Sequence, residues 1–315
     1  MSVRILTGDC RDLLGGMEAE SVHCIVTSPP YFGLRDYGVA GQIGLEPSPE
    51  EFVSELVGVF REARRVLRDD GTLWLNMGDS YCSTDKWGGG GNTGKQTVAA
   101  DGSVPSWAVR NRRAPFPGIK PKDLIGVPWM LAFALRADGW YLRSDIIWHK
   151  PNPMPESVTD RPTSAHEHIF LLSKSERYFY DNEAVKEPAS YPEGPGNVRP
   201  CKGADMAGFE IRGNLHNIGP RELRNLRNVW TVATQPFSEA HFATFPSDLI
   251  EPCIKAGCPK GGTVLDPFGG AGTTGLVADR LGRNAVLIEL NPTYADMARR
   301  RLQADAGMFA NLEVA

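Results

Sequence analysis

"VLDPFGGAGTTGLVADRLGRNAVLIEL", residues 264–290, decides the fold. A β-branched run enters Gly269-Gly270-Ala271-Gly272, a helical pattern opens at Thr273, and a second apolar run ends in the acid Glu289, 20 residues past the first glycine. That is the strand, tight turn, helix and strand of a nucleotide-binding unit. Its glycines let the backbone turn sharply and approach a ligand, and its acid accepts hydrogen bonds from ribose hydroxyls. A phosphate-binding loop of the Walker type would close on Gly-Lys-Ser/Thr; here Thr273 and Thr274 follow Gly272, so no lysine is supplied to a β- or γ-phosphate. Asp266 stands at the mouth of the turn, where a fixed carboxylate repels a pyrophosphate and attracts an ammonium. A glycine-rich turn alone fits dehydrogenases as well. A ligand with adenosine at one end and a zwitterionic methionine at the other, S-adenosylmethionine, suits both Asp266 and Glu289.

Outward from this unit, short apolar runs alternate with helical patterns, the signature of an α/β sheet. "VRILTG" (3–8), "VHCIVT" (22–27), "TLWLNMG" (72–78), "WYLRSDIIWHK" (140–150) and "EHIFLLSKS" (167–175) read as strands, with "RYFYDNEA" (177–184) as a further strand beside the last. Phe52, Leu56, Val59, Phe60, Ala63, Val66 and Leu67 share one face of a helix over 50–67, ended by a turn at Arg68-Asp69-Asp70-Gly71. A second helix is expected over 123–137, and "NPTYADMARRRLQAD" reads as a helix after the glycine-rich unit.

The 315 residues suffice for one large domain or two modest ones, and 41% hydrophobic with 23% charged residues is ordinary globular composition. A net charge of −4 argues against a tail-driven nucleic-acid binder but leaves room for a local basic cleft. Six scattered cysteines, and charges in "MSVRILTGDCRD" where a secretory signal would be apolar, suggest a reducing, cytoplasmic setting. Cys253 and Cys258 lack a partner pair at zinc-finger spacing, so no metal is expected. No apolar run approaches the ~20 residues of a membrane span.

Two stretches break the rhythm. Residues 82–121 hold four consecutive glycines and the cations Arg110, Arg112 and Arg113; residues 188–228 are rich in Pro, Gly and Asn and hold Arg221, Arg224 and Arg227. Both far exceed the usual ~4–6 residues of a connection. They read either as solvated linkers or as basic arms that clamp a polyanion. A third feature is "HCIVTSPPYFGLRDYG" (23–38), in which a strand ends on two prolines and an aromatic. Ser28-Pro29-Pro30 continues neither helix nor ladder, so the chain there is stiff and rich in acceptors. In isolation it would be a stiff turn.

With both motifs in view, the chain resembles the amino-methylating DNA methyltransferases, which modify the exocyclic N4 of cytosine or N6 of adenine. "TSPPY" matches their catalytic (D/N/S)-P-P-(Y/F/W) motif and "DPFGGAGTT" their cofactor motif D-x-F-x-G-x-G-T. The order of the two motifs is similar to the β group of the family, with target recognition between them. "LTGDCRDLL", "RVLRDDGTLWLNMGDSY", "WHKPNPMPES", "RPTSAHEHIFLLSKS" and "HFATFPSDLIEPCI" extend the likeness over most of the chain. The resemblance implies a doubly wound, mostly parallel α/β sheet, circularly permuted so that the N-terminal strand follows the C-terminal unit in space. It divides the chain into a catalytic half (1–81 and 122–187), a mobile basic loop insert (82–121), a target-recognition insert (188–240) and an S-adenosylmethionine-binding half (241–315).

It further implies that Asp9 and Cys10 belong to the adenine pocket and Phe245, Pro246 and Ser247 to the methionine end. Asp266, Pro267, Phe268, Gly269, Gly270, Gly272, Thr273, Thr274 and Glu289 would complete the cofactor site. Ser28, Pro29, Pro30 and Tyr31 would be catalytic, and Arg110, Arg112, Arg113, Arg221, Arg224 and Arg227 would contact DNA. An exocyclic amine is a poor nucleophile because its lone pair is delocalised into the ring, so acceptors must pull on both of its hydrogens. The Ser28 hydroxyl and the Pro29 carbonyl suit that task, and the Tyr31 ring would stack on a base rotated out of the duplex. On this reading the face of Tyr31 acts and its hydroxyl is dispensable.

Serine at the first motif position resembles the cytosine-N4 enzymes and aspartate the adenine-N6 enzymes, so cytosine is expected, with adenine as the alternative. RNA or protein-amide methylation and a non-catalytic nucleotide-binding module are rivals. Pro200-Cys201 and Pro252-Cys253 offer no activated thiolate for a carbon-5 mechanism, and His166 and His168 read as structural. Expected partners are duplex DNA and a cognate restriction endonuclease, with no membrane.

Overall fold

The computed structural model describes residues 1–34, 36–82, 118–190, 222–235, 244–306 and 311–314. The chain divides into two compact units, Met1–Tyr180 with Asn228–Ala315, and Asp181–Arg227.

In the larger unit, β1 (Ser2–Thr7), α1 (Cys10–Gly15), β2 (Val22–Thr27), α2 (Pro49–Val66) and β3 (Leu67–Met77) are followed by α3 (Val127–Ala137), β4 (Tyr141–His149) and β5 (His166–Ser173). The smaller unit carries β6 (Glu187–Pro188) and β7 (Leu223–Arg224), paired antiparallel. The larger unit resumes with β8 (Val229–Thr231), α4 (Ser247–Gly257), β9 (Thr263–Asp266), α5 (Thr273–Arg280), β10 (Asn284–Glu289), α6 (Pro292–Ala306) and β11 (Asn311–Val314).

Nine strands form one sheet in the order β11-β1-β10-β9-β2-β3-β5-β4-β8. The run from β11 to β3 is parallel throughout; β5 lies antiparallel to β3 and β4, and β8 parallel to β4. Central strands buried on both faces read as continuous apolar runs, which is why Cys24-Ile25-Val26-Thr27 are all buried. The N-terminal strand does follow the C-terminal unit, since β1 pairs with β10 from Val3↔Ala285 to Thr7↔Glu289.

Helix α2 starts at a reciprocal cap: Ser48 accepts from the Glu51 N–H and donates to its carboxylate, with Pro49 in the first turn. Phe52, Leu56, Phe60 and Ala63 are fully buried on the face it turns to the sheet.

Three expectations are corrected. "RYFYDNEA" is not a strand: both edges of β5 are taken by β3 and β4, leaving no free ladder beside it. The turn at 68–71 is absorbed into β3 as a register break, with Val22 opposite Leu67 but Cys24 opposite Thr72. The second helix begins at Val127 because Leu124 bridges to Tyr81, Gly126 takes φ +83°, and the Asp79 carboxylate accepts from the Gly126 and Val127 N–H groups at 3.0 and 3.3 Å.

Candidate active site

From β9 the chain winds outward through α5 to β10, and from β2 through α2 to β3, so the direction of winding reverses between β9 and β2. In open α/β sheets ligands bind at such a switch point, beyond the carboxyl ends of the strands. Ile25 pairs with Leu265; beyond that pair, the Thr27 hydroxyl donates to Asp266 Oδ1 at 2.6 Å. The glycine-rich loop and the Ser28-Pro29-Pro30-Tyr31 turn therefore leave adjacent strands already joined to each other.

Asp266 does not line an open mouth, which corrects the sequence reading. It is 1% exposed, its Oδ1 also accepts from the Phe268 N–H at 3.0 Å, and its Oδ2 accepts from the Thr274 hydroxyl at 2.6 Å. Burial pushes its carboxyl up to about 6 against these hydrogen bonds. Asp266 is thus the clasp between the two motifs.

After Pro267, the Gly269 N–H donates to the Ile288 carbonyl at 2.7 Å, and Gly270 and Gly272 take φ +50° and +76°. A Cβ on Gly272 would stand 2.9 Å from the Ala298 Cβ, so this turn requires glycine on two counts. Thr273, buried, accepts from Arg301 at 2.8 Å.

Glu289 ends β10 with Oε2 accepting from the Gly270 N–H and Oε1 from the Asn291 N–H, both at 2.8 Å. Burial raises its carboxyl above the ordinary range, with Asp266 adding to the shift. A carboxylate has about four lone-pair sites, so two backbone donors leave it able to accept ribose hydroxyls. Asp9, beside this strand end, caps α1 by accepting from the Arg11 N–H at 2.9 Å and pairs with the Arg11 guanidinium, which holds its carboxyl low. The neighbouring Gly8 N–H donates to the Glu289 carbonyl at 2.9 Å. Cys10 is buried, and desolvation pushes its thiol up to about 12. The C-terminus of α4 fits against Cys24 and Thr72, where a Cβ on Gly257 would meet both. Phe245, Pro246 and Ser247 at its other end therefore lie towards the carboxyl edge of the sheet. Pro246 is buried and its carbonyl accepts from the Leu249 N–H. These residues, with the glycine loop, fit the two ends of S-adenosylmethionine.

The Ser28-Pro29-Pro30-Tyr31 turn is held by residues the sequence reading missed. The Tyr31 hydroxyl donates to Glu167 Oε2 at 2.7 Å, Asn76 Nδ2 donates to the same oxygen at 3.1 Å, and Lys150 pairs with Oε1. Ser28 Oγ reaches the Tyr31 hydroxyl at a long 3.4 Å. Burial, reinforced by the Glu167 carboxylate, raises the phenol well above its ordinary range, so it stays a donor. Its ring lies against Gly78, where a Cβ would come within 2.6 Å of Cε2. The hydroxyl of Tyr31 is therefore engaged, which corrects the expectation that only the ring face matters. Among the described residues no N–H donates to the Pro29 carbonyl, and Pro30 has none to offer. Asn76, Lys150 and Glu167 lie on β3, just past β4 and on β5, and "NMGDSY", "WHKP" and "AHEH" carry them in segments the resemblance already covers.

His168 bonds Asp145 at 2.9 Å and stacks on Phe170, a structural setting. Cys24 and Cys253 are buried with thiols held above the ordinary range by desolvation, and Cys258 is pushed up to about 12 by the same cause. Among the described residues no group of three or more metal-ligating side chains occurs. Arg110, Arg112, Arg113 and Arg221, and Cys201, lie outside the described residues. Arg224 and Arg227 both donate to Glu187 Oε1, at 2.7 and 2.6 Å, so one acid offsets part of their charge.

Fold and site together define a nucleotide-dependent group-transfer enzyme, and comparison with known proteins gives the class. A family model described as DNA methylase, covering N6 and N4 methyltransferases, matches residues 22–300. The chain is 51% identical over 301 residues to type II methyltransferase M.Cfr9I of Citrobacter freundii, covering 96% of this chain and 88% of that one. It is 48% identical to M.SmaI of Serratia marcescens, covering 96% and 91%. Among solved structures, a DNA modification methylase from Thermus thermophilus, complexed with S-adenosyl-L-methionine, superposes with TM-score 0.57 at 26% identity over 99% of both chains. The cytosine-N4-specific PvuII DNA methyltransferase superposes with TM-score 0.63 at 20% identity over 96% and 86%, a likeness of fold. The chain belongs to the N6/N4 DNA methylase family. It is a DNA methyltransferase that uses S-adenosylmethionine.

Proposed function

We propose that this enzyme methylates the exocyclic N4 amine of cytosine at a short sequence in duplex DNA, as the cytoplasmic modification partner of a type II restriction endonuclease. The observation that carries the proposal is the joining of the glycine loop to the Ser28-Pro29 turn through Thr27 and Asp266, with the Pro29 carbonyl receiving no donor from the described chain. When bound, S-adenosylmethionine supplies an electrophilic methyl on a sulfonium. Ser28 Oγ and the Pro29 carbonyl accept the two amine hydrogens and draw the lone pair out of the ring as the nitrogen becomes tetrahedral. Tyr31, fixed by Glu167, Asn76 and Gly78, sets the position of Ser28 and borders the space for a flipped base. A neutral serine at the first motif position favours cytosine over adenine. The type II names of M.Cfr9I and M.SmaI favour the restriction-modification setting.

The test is mass spectrometry of nucleosides from DNA of cells expressing the chain, with sequencing of modified bases to map the site. N4-methylcytosine is expected. N6-methyladenine would overturn the base assignment, and an active chain that modifies RNA or protein but leaves DNA unmodified would overturn the substrate.

A further inference from the structure

Among the described large apolar residues, Met154 has the greatest exposure, at 81%. It stands between Pro153 and Pro155 in the segment 150–165 that joins β4 to β5. Both β3 and β4 run antiparallel to β5, so the carboxyl end of β4 faces the same edge of the sheet as those of β2 and β3. The segment therefore leaves from the active edge. Its root is Lys150, which pairs with the Glu167 that holds Tyr31.

This exposure does not come from a slack loop. Asn152 accepts from the Thr234 N–H at 3.0 Å, and Glu156 pairs with Arg161 and accepts from the Ser164 N–H at 3.1 Å. Asp160 pairs with Lys122, and the Arg161 guanidinium lies 3.8 Å above the Tyr81 ring centre. Two prolines fix φ on either side of the methionine. A braced loop thus presents one flexible, polarisable apolar side chain to solvent, beside the turn that takes the base.

Extruding a base leaves its neighbours unstacked, and proteins that open a base step fill it with an apolar wedge such as Met, Leu or Phe. We propose that Met154 enters the DNA stack and occupies the space left by the flipped base. The proposal rests on the reading of Ser28-Pro29-Pro30-Tyr31 as the pocket for that base.

The experiment uses full-length enzyme, saturating S-adenosylmethionine and duplex oligonucleotides carrying the mapped site, with the target base normally paired, mismatched, or opposite an abasic residue. Single-turnover methylation by Met154→Ala is expected to fall roughly tenfold to a hundredfold on the paired duplex, the scale of a base-step unstacking penalty. It should recover to within about threefold of wild type on the abasic-opposed duplex, where little extrusion work remains. Met154→Leu should keep the wild-type pattern, and melting curves should coincide because the side chain is exposed. An undiminished rate on the paired duplex, or the same loss on all three, would overturn the wedge. Ser28→Ala, run alongside, should be slow on all three; a wild-type rate there would overturn the base pocket instead, whatever Met154 does.

Discussion

Tyr31→Phe removes one oxygen atom and separates the two roles open to the motif. The phenol donates to Glu167 Oε2 at 2.7 Å, and without it that oxygen keeps Asn76 Nδ2 at 3.1 Å as its described partner. A hydrogen bond to a charged acceptor is worth about 1.5–3 kcal/mol. If that energy fixes Ser28 for the transition state, single-turnover methylation at saturating S-adenosylmethionine should fall roughly tenfold to over a hundredfold. Cofactor affinity should be unchanged, because Asp266, Glu289 and the glycine loop are untouched. A ring that only stacks on the base predicts near-wild-type turnover for Phe. Glu167→Gln should show a comparable loss, and the double variant should lose no more than the worse single, since both act through one contact. Tyr31→Phe with a wild-type rate, or a fully additive double variant, would refute the network's part in turnover.

Asp266→Asn tests the clasp through pH. The native carboxyl is held up to about 6 against an ordinary 3.8. The folded state therefore binds this proton more tightly than the unfolded chain, and stability falls as pH rises from about 4 to 6, by about 3 kcal/mol at ~1.36 per pH unit. Asn should flatten that fall in denaturant titrations of the ligand-free protein; an identical slope would remove Asp266 as its source. Gly78→Ala drives a methyl into the Tyr31 ring and should slow turnover at least tenfold while cofactor binding by calorimetry stays intact. Neutralising Arg224 and Arg227 together should lower the log-log salt slope of DNA binding by less than ~1.8 units, because Glu187 already offsets part of their charge. A fall of the full two charges would show that Glu187 releases them on binding. Cys253→Ser should methylate at the wild-type rate in the same single-turnover assay, since desolvation keeps that thiol protonated; a large loss would reopen a cysteine mechanism.

Local pattern alone carried the chemistry of both motifs. Gly270 and Gly272 are readable because positive φ excludes other residues, Glu289 because its distance from the first glycine is set by one helix and one strand, and the β2 and α2 periods because one face or both are buried. Even the permutation followed from motif order, since the parallel pairing of β1 with β10 needs only neighbouring chain ends.

What the tertiary structure decided lies wherever sequence separation is large. Thr27 and Asp266, 239 positions apart, meet only because β2 and β9 are neighbours at the switch point, and that meeting turns an expected surface carboxylate into a buried clasp. Glu167, 136 positions from Tyr31, reaches it because β5 reverses direction beside β3, a pairing no local pattern encodes. The same reversal closes β5 to the strand expected at 177–184. Side-chain type and spacing are properties of the chain. Burial and hydrogen-bond partners are properties of the sheet order, and these set whether Asp266 is open and whether the Tyr31 hydroxyl is free.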